Sequence, residues 1–179
     1  MNCIVASILT LSQHLETLSL DPSAYRPKFC PHCGYGKLWH HGCYERKADR
    51  ESFGPKSLNP VPIPRYRCLG CGRTCSRLPE CIAPRRWFPW LIQQAVLGLW
   101  LLGFSVRKSA HQYGISRKTV RRWRQWLLDR HIDFAFHLRV RFPAWGRHAD
   151  FAGFWCNALH GLSLSRLMFW LDQEGVSVP

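Results

Sequence analysis

The chain has 179 residues, room for one domain or two small ones with a modest core. Hydrophobic residues make up 46%, which excludes a chain disordered by composition. Lys and Arg outnumber Asp and Glu 25 to 11, and the formal net charge of +14 points to a polyanionic partner, nucleic acid ahead of acidic membrane.

The first stretch, MNCIVASILTLSQHLETL, has no basic leading region and carries His14 and Glu16 within its apolar run, so it does not read as a secretory signal. Residues 1–28 read as an N-terminal arm, a short helix or extended segment followed by the turn-rich linker DPSAYRP. Nine Cys would suit a disulfide scaffold in a secreted protein. Four of them instead fall in two Cys-x-x-Cys pairs, which is metal spacing, and the expected setting is cytoplasmic, with reduced thiols and association with the nucleoid.

Residues 29–82 hold both pairs. Cys30 and Cys33 are followed by Gly34, and Cys68 and Cys71 by Gly72. Each pair reads as a knuckle in which glycine lets backbone amides turn toward the sulfurs. Four thiolates satisfy the tetrahedral preference of Zn2+ and leave no open position, so the metal is structural and performs no chemistry. Between the knuckles LWHHGCYERK is expected to turn at Gly42 as a hairpin. VPIPRYRC reads as the strand that delivers the second knuckle, with Pro62 and Pro64 confined to an edge. His32 is expected to face solvent, and His40 and His41 to be strand residues, with one of them the alternative ligand in place of a Cys. Cys43, Cys75 and Cys81 match no metal module, and Cys75 takes a core position.

A Pro-punctuated connector containing Arg85 and Arg86 leads to WFPWLIQQAVLGLWLLGF, 18 residues without a charge. That is the lower limit for a membrane span, but Pro89 shortens the helix and Gln93 and Gln94 interrupt it. The run is expected as a buried helix from about Pro89 to Leu102, ended by Gly103, and no membrane partner is expected.

Phe104 to Leu128 carries the densest signal, inside an expected DNA-binding domain over residues 87–130. Ser105 caps one short helix and Ser116 a second. Gly114 ends the first and Ile115 plugs the corner. Ala110 lets the two helices approach, and Val120, Trp123 and Leu127 form the inner face of the second. The outer face carries Lys118, Arg121, Arg122 and Gln125, which suit base edges in a major groove. Arg107, Lys108, Arg117 and Arg124 are expected to position the backbone of double-stranded DNA. This is the pattern of a helix-turn-helix. After it, residues 143–175 are expected as C-terminal helices broken near Gly161. They pack on the first helix, or form the surface of a homodimer. The expected fold class is mostly α with a small β zinc ribbon, in the order ribbon, helix-turn-helix, C-terminal helices.

With both motifs in view, the chain resembles the N-terminal DNA-binding region of insertion-sequence transposases. The ribbon resemblance rests on Cys30-Pro31-His32-Cys33-Gly34 and on Arg65-Tyr66-Arg67-Cys68-Leu69-Gly70-Cys71-Gly72-Arg73-Thr74. The helix-turn-helix resemblance rests on Gly103, Ser105, Arg107, Ala110, Gly114, Ile115, Ser116, Thr119, Val120 and Trp123. Cys75 departs from it, standing where the ribbon pattern has an aromatic, as does the long insert between the knuckles. The resemblance implies a mobile-element protein that recognises DNA, with a transposase as partner. Its catalytic carboxylate sheet is not visible: only Asp129, Asp133, Asp150, Asp172 and Glu174 follow the motif, and the chain is not expected to be an enzyme. The competing expectations are a truncated transposase with residual nuclease activity and a zinc-ribbon protein-interaction adaptor or transcription regulator.

Overall fold

Pairs of local signals build each element, and these assemble into two units. One runs up to Pro89 and the other from Trp90 to Val178. The computed structural model describes residues 3–49, 54–84, 88–148 and 150–178. Arg85, Arg86 and Trp87, expected in the connector and at the head of the apolar run, lie outside the described residues.

In the N-terminal unit, β1 (Ile4–Val5) pairs in parallel with β5 (Leu78–Pro79). A second sheet has the order β2 (Leu38–Arg46), β3 (Val61–Cys68), β4 (Thr74–Cys75), all antiparallel. β4 pairs with Tyr66 and Arg67, so among the described residues the half of β3 that holds Pro62 and Pro64 has one open edge. That is where residues without an N–H are tolerated.

The expected hairpin at Gly42 is corrected. β2 continues through Gly42 as one strand, and the register against β3 slips between His40 and Cys43. Two residues oppose one there, with Gly42 at φ +74, so the glycine makes a bulge. A turn and a bulge ask the same left-handed conformation of glycine, and sequence alone does not separate them. The ends of the insert after β2 are tied together: Asp49 N–H donates to Asn59 Oδ1 at 3.0 Å, and Leu58 N–H donates to Asp49 Oδ2 at 2.8 Å.

The first 25 residues supply core. Val5, Ile8 and Tyr25 share one apolar cluster with Cys30, Leu38, Tyr66 and Cys68. α1 (Leu11–Leu20) opens on a capping box in which Thr10 Oγ1 accepts from Gln13 N–H and Gln13 Oε1 accepts from Thr10 N–H. One turn along, fully buried His14 reaches β3. Its Nε2 lies 2.8 Å from the Pro62 carbonyl on the open edge, and its Nδ1 pairs with the Tyr25 hydroxyl. The ring therefore donates through Nε2 and accepts from Tyr25 through Nδ1.

This neutral His14 is a pH-dependent clip. Burial holds its pKa below the ordinary 6.5, while the bond to the Pro62 carbonyl pulls weakly upward. Between the lowered folded value and 6.5 the unfolded chain binds more protons. The contribution is thus complete above 6.5 and is lost as pH falls through the window below it. Wild type should lose more stability than His14→Phe between about pH 7 and pH 5, read as the urea midpoint of the N-terminal unit. Equal losses would exclude the clip.

The C-terminal unit is α-helical. α2 (Trp90–Leu101) is apolar on nearly all sides and ends at Gly103, φ +88, where Phe104 N–H returns to the Leu99 carbonyl. Among the described residues no helix is long and apolar enough to cross a membrane. α3 (Val106–Gln112) follows, then α4 (Arg117–Arg141), 25 residues long. The second helix of the expected pair thus runs well past Leu128, because its inner stripe continues through Phe134, Ala135 and Leu138. No breaker appears before Pro143. α5 (Phe151–Gly161) and α6 (Leu164–Gln173) follow, separated by Leu162 and Ser163. Gln94 on α2 holds that break: its Oε1 accepts from Leu164 N–H at 2.7 Å and its Nε2 donates to the Leu159 carbonyl at 3.5 Å. A residue that counts against a membrane span is here the tie between α2 and the last two helices.

Candidate metal centre and basic helix face

The loop before β2 and the end of β3 bring the four cysteines together. The sulfurs of Cys30, Cys33, Cys68 and Cys71 all lie within 4.8 Å of one another. Cys30 Sγ is 3.7 Å from Cys71 Sγ, and Cys33 Sγ is 3.6 Å from Cys68 Sγ. Four sulfurs about 2.3 Å from a zinc ion form a tetrahedron with edges of about 3.8 Å, so these two separations are compatible with a bound metal. The donor set is all thiol, which suits Zn2+ and leaves no ligand position open.

Each knuckle is built by the same device. Gly34 N–H donates to the Cys30 carbonyl at 2.9 Å, and Gly72 N–H to the Cys68 carbonyl at 3.0 Å. Both glycines have positive φ, which turns the following chain back over the sulfurs. His32 N–H points at Cys30 Sγ (3.4 Å) and Gly70 N–H at Cys68 Sγ (3.3 Å). Leu69 N–H donates to the Lys37 carbonyl at 3.1 Å and stitches one knuckle to the other.

The Cys30 and Cys33 thiols are pushed in opposite directions. Burial disfavours the Cys30 thiolate, but the N–H groups of His32 and Cys33 and the facing thiols outweigh it and bring its pKa down to about 7. At Cys33 the Tyr35 N–H favours the thiolate, yet burial and the thiols of Cys68, Cys71 and Cys30 push it up to about 12. A thiolate at Cys30 thus stands against one at Cys33. A divalent cation among them removes the conflict.

The other cysteines and the histidines stand apart. Among the described residues no other group of three or more His, Cys, Asp or Glu side chains could hold a metal. Cys75 packs on the core and its thiol points to the Tyr66 carbonyl, and burial raises its pKa to about 11. Cys81 packs in a second apolar cluster with Val61, Ile63, Leu78 and Ile82. Cys43 is exposed, 4.0 Å from His40 Nε2, and His32 is exposed.

In the C-terminal unit α3 and α4 are joined by residues 113–116. Ser105 Oγ accepts from Lys108 N–H at 3.2 Å, and Ser116 Oγ accepts from Thr119 N–H at 3.1 Å. Gly114 has φ +61, and Ile115 N–H returns to the Ala110 carbonyl at 2.9 Å. Ala110, Ile115, Val120 and Trp123 are buried at the corner. A concavity of about 670 Å³ lies over the turn, lined by Ser105, Arg107, Lys108, His111, Ser116 and Arg117 among others.

Seven of the eight expected DNA-contacting side chains are exposed around this corner: Arg107, Lys108, Arg117, Lys118, Arg121, Arg122 and Gln125. Gln125 Nε2 donates to Asp129 Oδ1 at 2.7 Å, which holds its amide along the helix. Arg124 is half-buried, with its guanidinium 4.7 Å from the centre of the Trp100 ring.

The same use of arginine recurs behind the corner. Arg139 lies over Phe154, donating to the His148 carbonyl at 2.9 Å, and Arg141 lies over Trp170. These cations join α4 to the last two helices by cation–π contact. Sequence patterning does not reveal them, because a guanidinium on a ring and one in water leave the same trace. Of the carboxylates after the pair, Asp150 caps α5 by accepting from Gly153 N–H, Asp133 lies 3.7 Å from His137, and Asp129 holds Gln125.

A family described as a domain of unknown function, DUF6431, matches residues 30–123, over half of the chain. The match begins at the first cysteine of the cluster and ends at Trp123, so it contains all four cysteines and the α3–α4 corner. No curated protein and no solved structure matches the chain.

Proposed function

We propose that this chain, which belongs to the DUF6431 family, is a zinc-dependent, sequence-reading DNA-binding protein of a mobile element. In this reading it is transposase-like and acts as accessory or regulator. The four-cysteine cluster is a zinc ribbon, and the α3–α4 corner is a helix-turn-helix. Zn2+ supplies cross-linking and charge neutralisation; Cys30, Cys33, Cys68 and Cys71 hold it.

One observation carries the reading. The first two and a half turns of α4 leave Arg117, Lys118, Arg121, Arg122 and Gln125 exposed, while Val120 and Trp123 anchor the opposite side. A rigid helix end with exposed cationic groups, and with the Gln125 amide held by Asp129, suits the major groove, where Arg or Lys pairs with guanine and Gln with adenine. Arg107, Lys108 and Arg117 flank it as phosphate contacts. Arg124, drawn onto Trp100, would act chiefly by setting the pitch of α4, and could reach a phosphate only by leaving the ring.

Gel shift on genomic fragments, across salt concentrations and with or without a chelator, tests this. Salt-steep, sequence-selective binding that disappears on chelation is the expected result. Arg121→Ala or Arg122→Ala should cost about 1–3 kcal/mol on the preferred site and relax preference there, whereas Lys108→Ala should weaken all sequences alike. Equal losses on every DNA for all three would overturn this assignment of the reading face.

A protein-binding adaptor is the second reading. It is favoured by the exposed Phe29, Trp39 and Leu69 on the metal-bearing segment. A folded, zinc-loaded chain with no DNA affinity would select it.

A further inference from the structure

The outward face of α4 changes character along its length. Past the basic half it carries Leu128, Ile132, Phe136 and Val140, at intervals of four, with exposures of 42%, 84%, 64% and 70%. The inner face at Leu127, Phe134 and Leu138 is fully packed, so this second apolar stripe lies outside the packed core of the unit. Four apolar side chains standing in water together cost solubility and are not the scattered single exposures of an ordinary surface.

We infer that this ridge is a self-association surface, and that its occupant is the same ridge of a second copy of the chain, in antiparallel orientation. Three physical arguments select that occupant. The ridge follows an i, i+4 row, and such rows interlock when two helices cross at about −50°. The four side chains expose on the order of 500 Å² per copy, so pairing two ridges removes up to roughly 1,000 Å², the size of a weak, reversible interface.

Charge sets the orientation. Lys118 lies on the same side of α4 as Phe136, about five turns earlier, and Arg121, Arg122 and Gln125 cluster around it. A parallel pair would lay the two cationic halves side by side. An antiparallel pair places them at opposite ends, and its two-fold axis sets Ile132 against Phe136 and Leu128 against Val140. The inference concerns association alone and stands whether or not the cationic half reads DNA.

Sedimentation equilibrium of the full, zinc-loaded chain tests it. The expected result is a monomer–dimer equilibrium with micromolar Kd, as befits an interface at the small end of the range. Ile132→Lys and Phe136→Glu should each weaken it about 100-fold, with circular dichroism and zinc content unchanged, since both residues are mostly exposed. Mixing the two variants should restore a dimer, because the antiparallel register sets the new lysine against the new glutamate and keeps one Phe–Ile contact. A wild-type chain that stays monomeric overturns the inference, whether the ridge is bare or covered by another protein. So does a dimer that survives both substitutions, and a mixture that stays monomeric overturns the antiparallel register.

Discussion

Cys68→Ser should cost the N-terminal unit its metal and its fold together. The sulfur is buried at the end of β3, 3.6 Å from Cys33 Sγ, in the same cluster as Val5, Ile8, Tyr25 and Tyr66. Serine keeps the volume and loses the thiolate. A structural zinc site contributes about 10 kcal/mol or more, which is comparable to the whole stability of a domain. Two of the four thiols, Cys30 and Cys68, are themselves part of that apolar cluster, and three of the unit's strands, β1, β4 and β5, are only two residues long. Metal content should fall to background, and protease should cut the segment before Pro89 rapidly while the unit from Trp90 onward resists. Cys75→Ser is the comparison: that thiol packs against the core without joining the cluster, so zinc should stay bound. A Cys68→Ser chain, or a chelated wild type, that keeps a protected N-terminal unit would show that the four cysteines are packing residues.

Trp123→Ala should have the second largest effect and should fall on the other unit. Trp123 is 2% exposed and lies at the corner formed by Ala110, Ile115 and Val120, below the cationic face of α4. Truncating a buried tryptophan costs about 3–5 kcal/mol, through lost transfer free energy and the cavity left behind. The denaturant midpoint of the C-terminal unit should drop accordingly, with zinc content unaltered. On the proposed DNA-binding reading, this separates two ways of losing affinity. Arg121→Ala should lose discrimination with the midpoint in place, whereas Trp123→Ala should lose affinity through the fold. A Trp123→Ala chain as stable as wild type would mean that the corner is not packed as described.

The elements that sequence made legible share one property: their signals are local. A Cys-x-x-Cys followed by glycine closes its own turn, and both knuckles adopt that geometry at Gly34 and Gly72. Ser105 and Ser116 cap their own helices within three residues. Where one local signal serves two structures, it misled. Gly42 supplies a positive φ, which a hairpin and a bulge both need, and only the partner strand decided for the bulge. The expected domain ends at residue 130, whereas α4 runs on to Arg141 because Phe134, Ala135 and Leu138 extend its buried stripe. In the structure Arg139 and Arg141 lie on aromatic rings.

By itself, then, the sequence determined which residues can make a four-thiol centre and where the capped helix pair begins, because spacing, glycine and cap residues act within a few positions. Tertiary structure decided what those pieces rest on. His14 finds the open edge of β3 at Pro62, 48 residues away, and Gln94 finds the break between α5 and α6, 65 to 70 residues away. It also decided which face of α4 is left in water: Leu127 and Leu128 are adjacent leucines, one buried and one 42% exposed. Neighbours distant in the chain make that choice, since burial depends on what packs against a residue and only weakly on the residue itself.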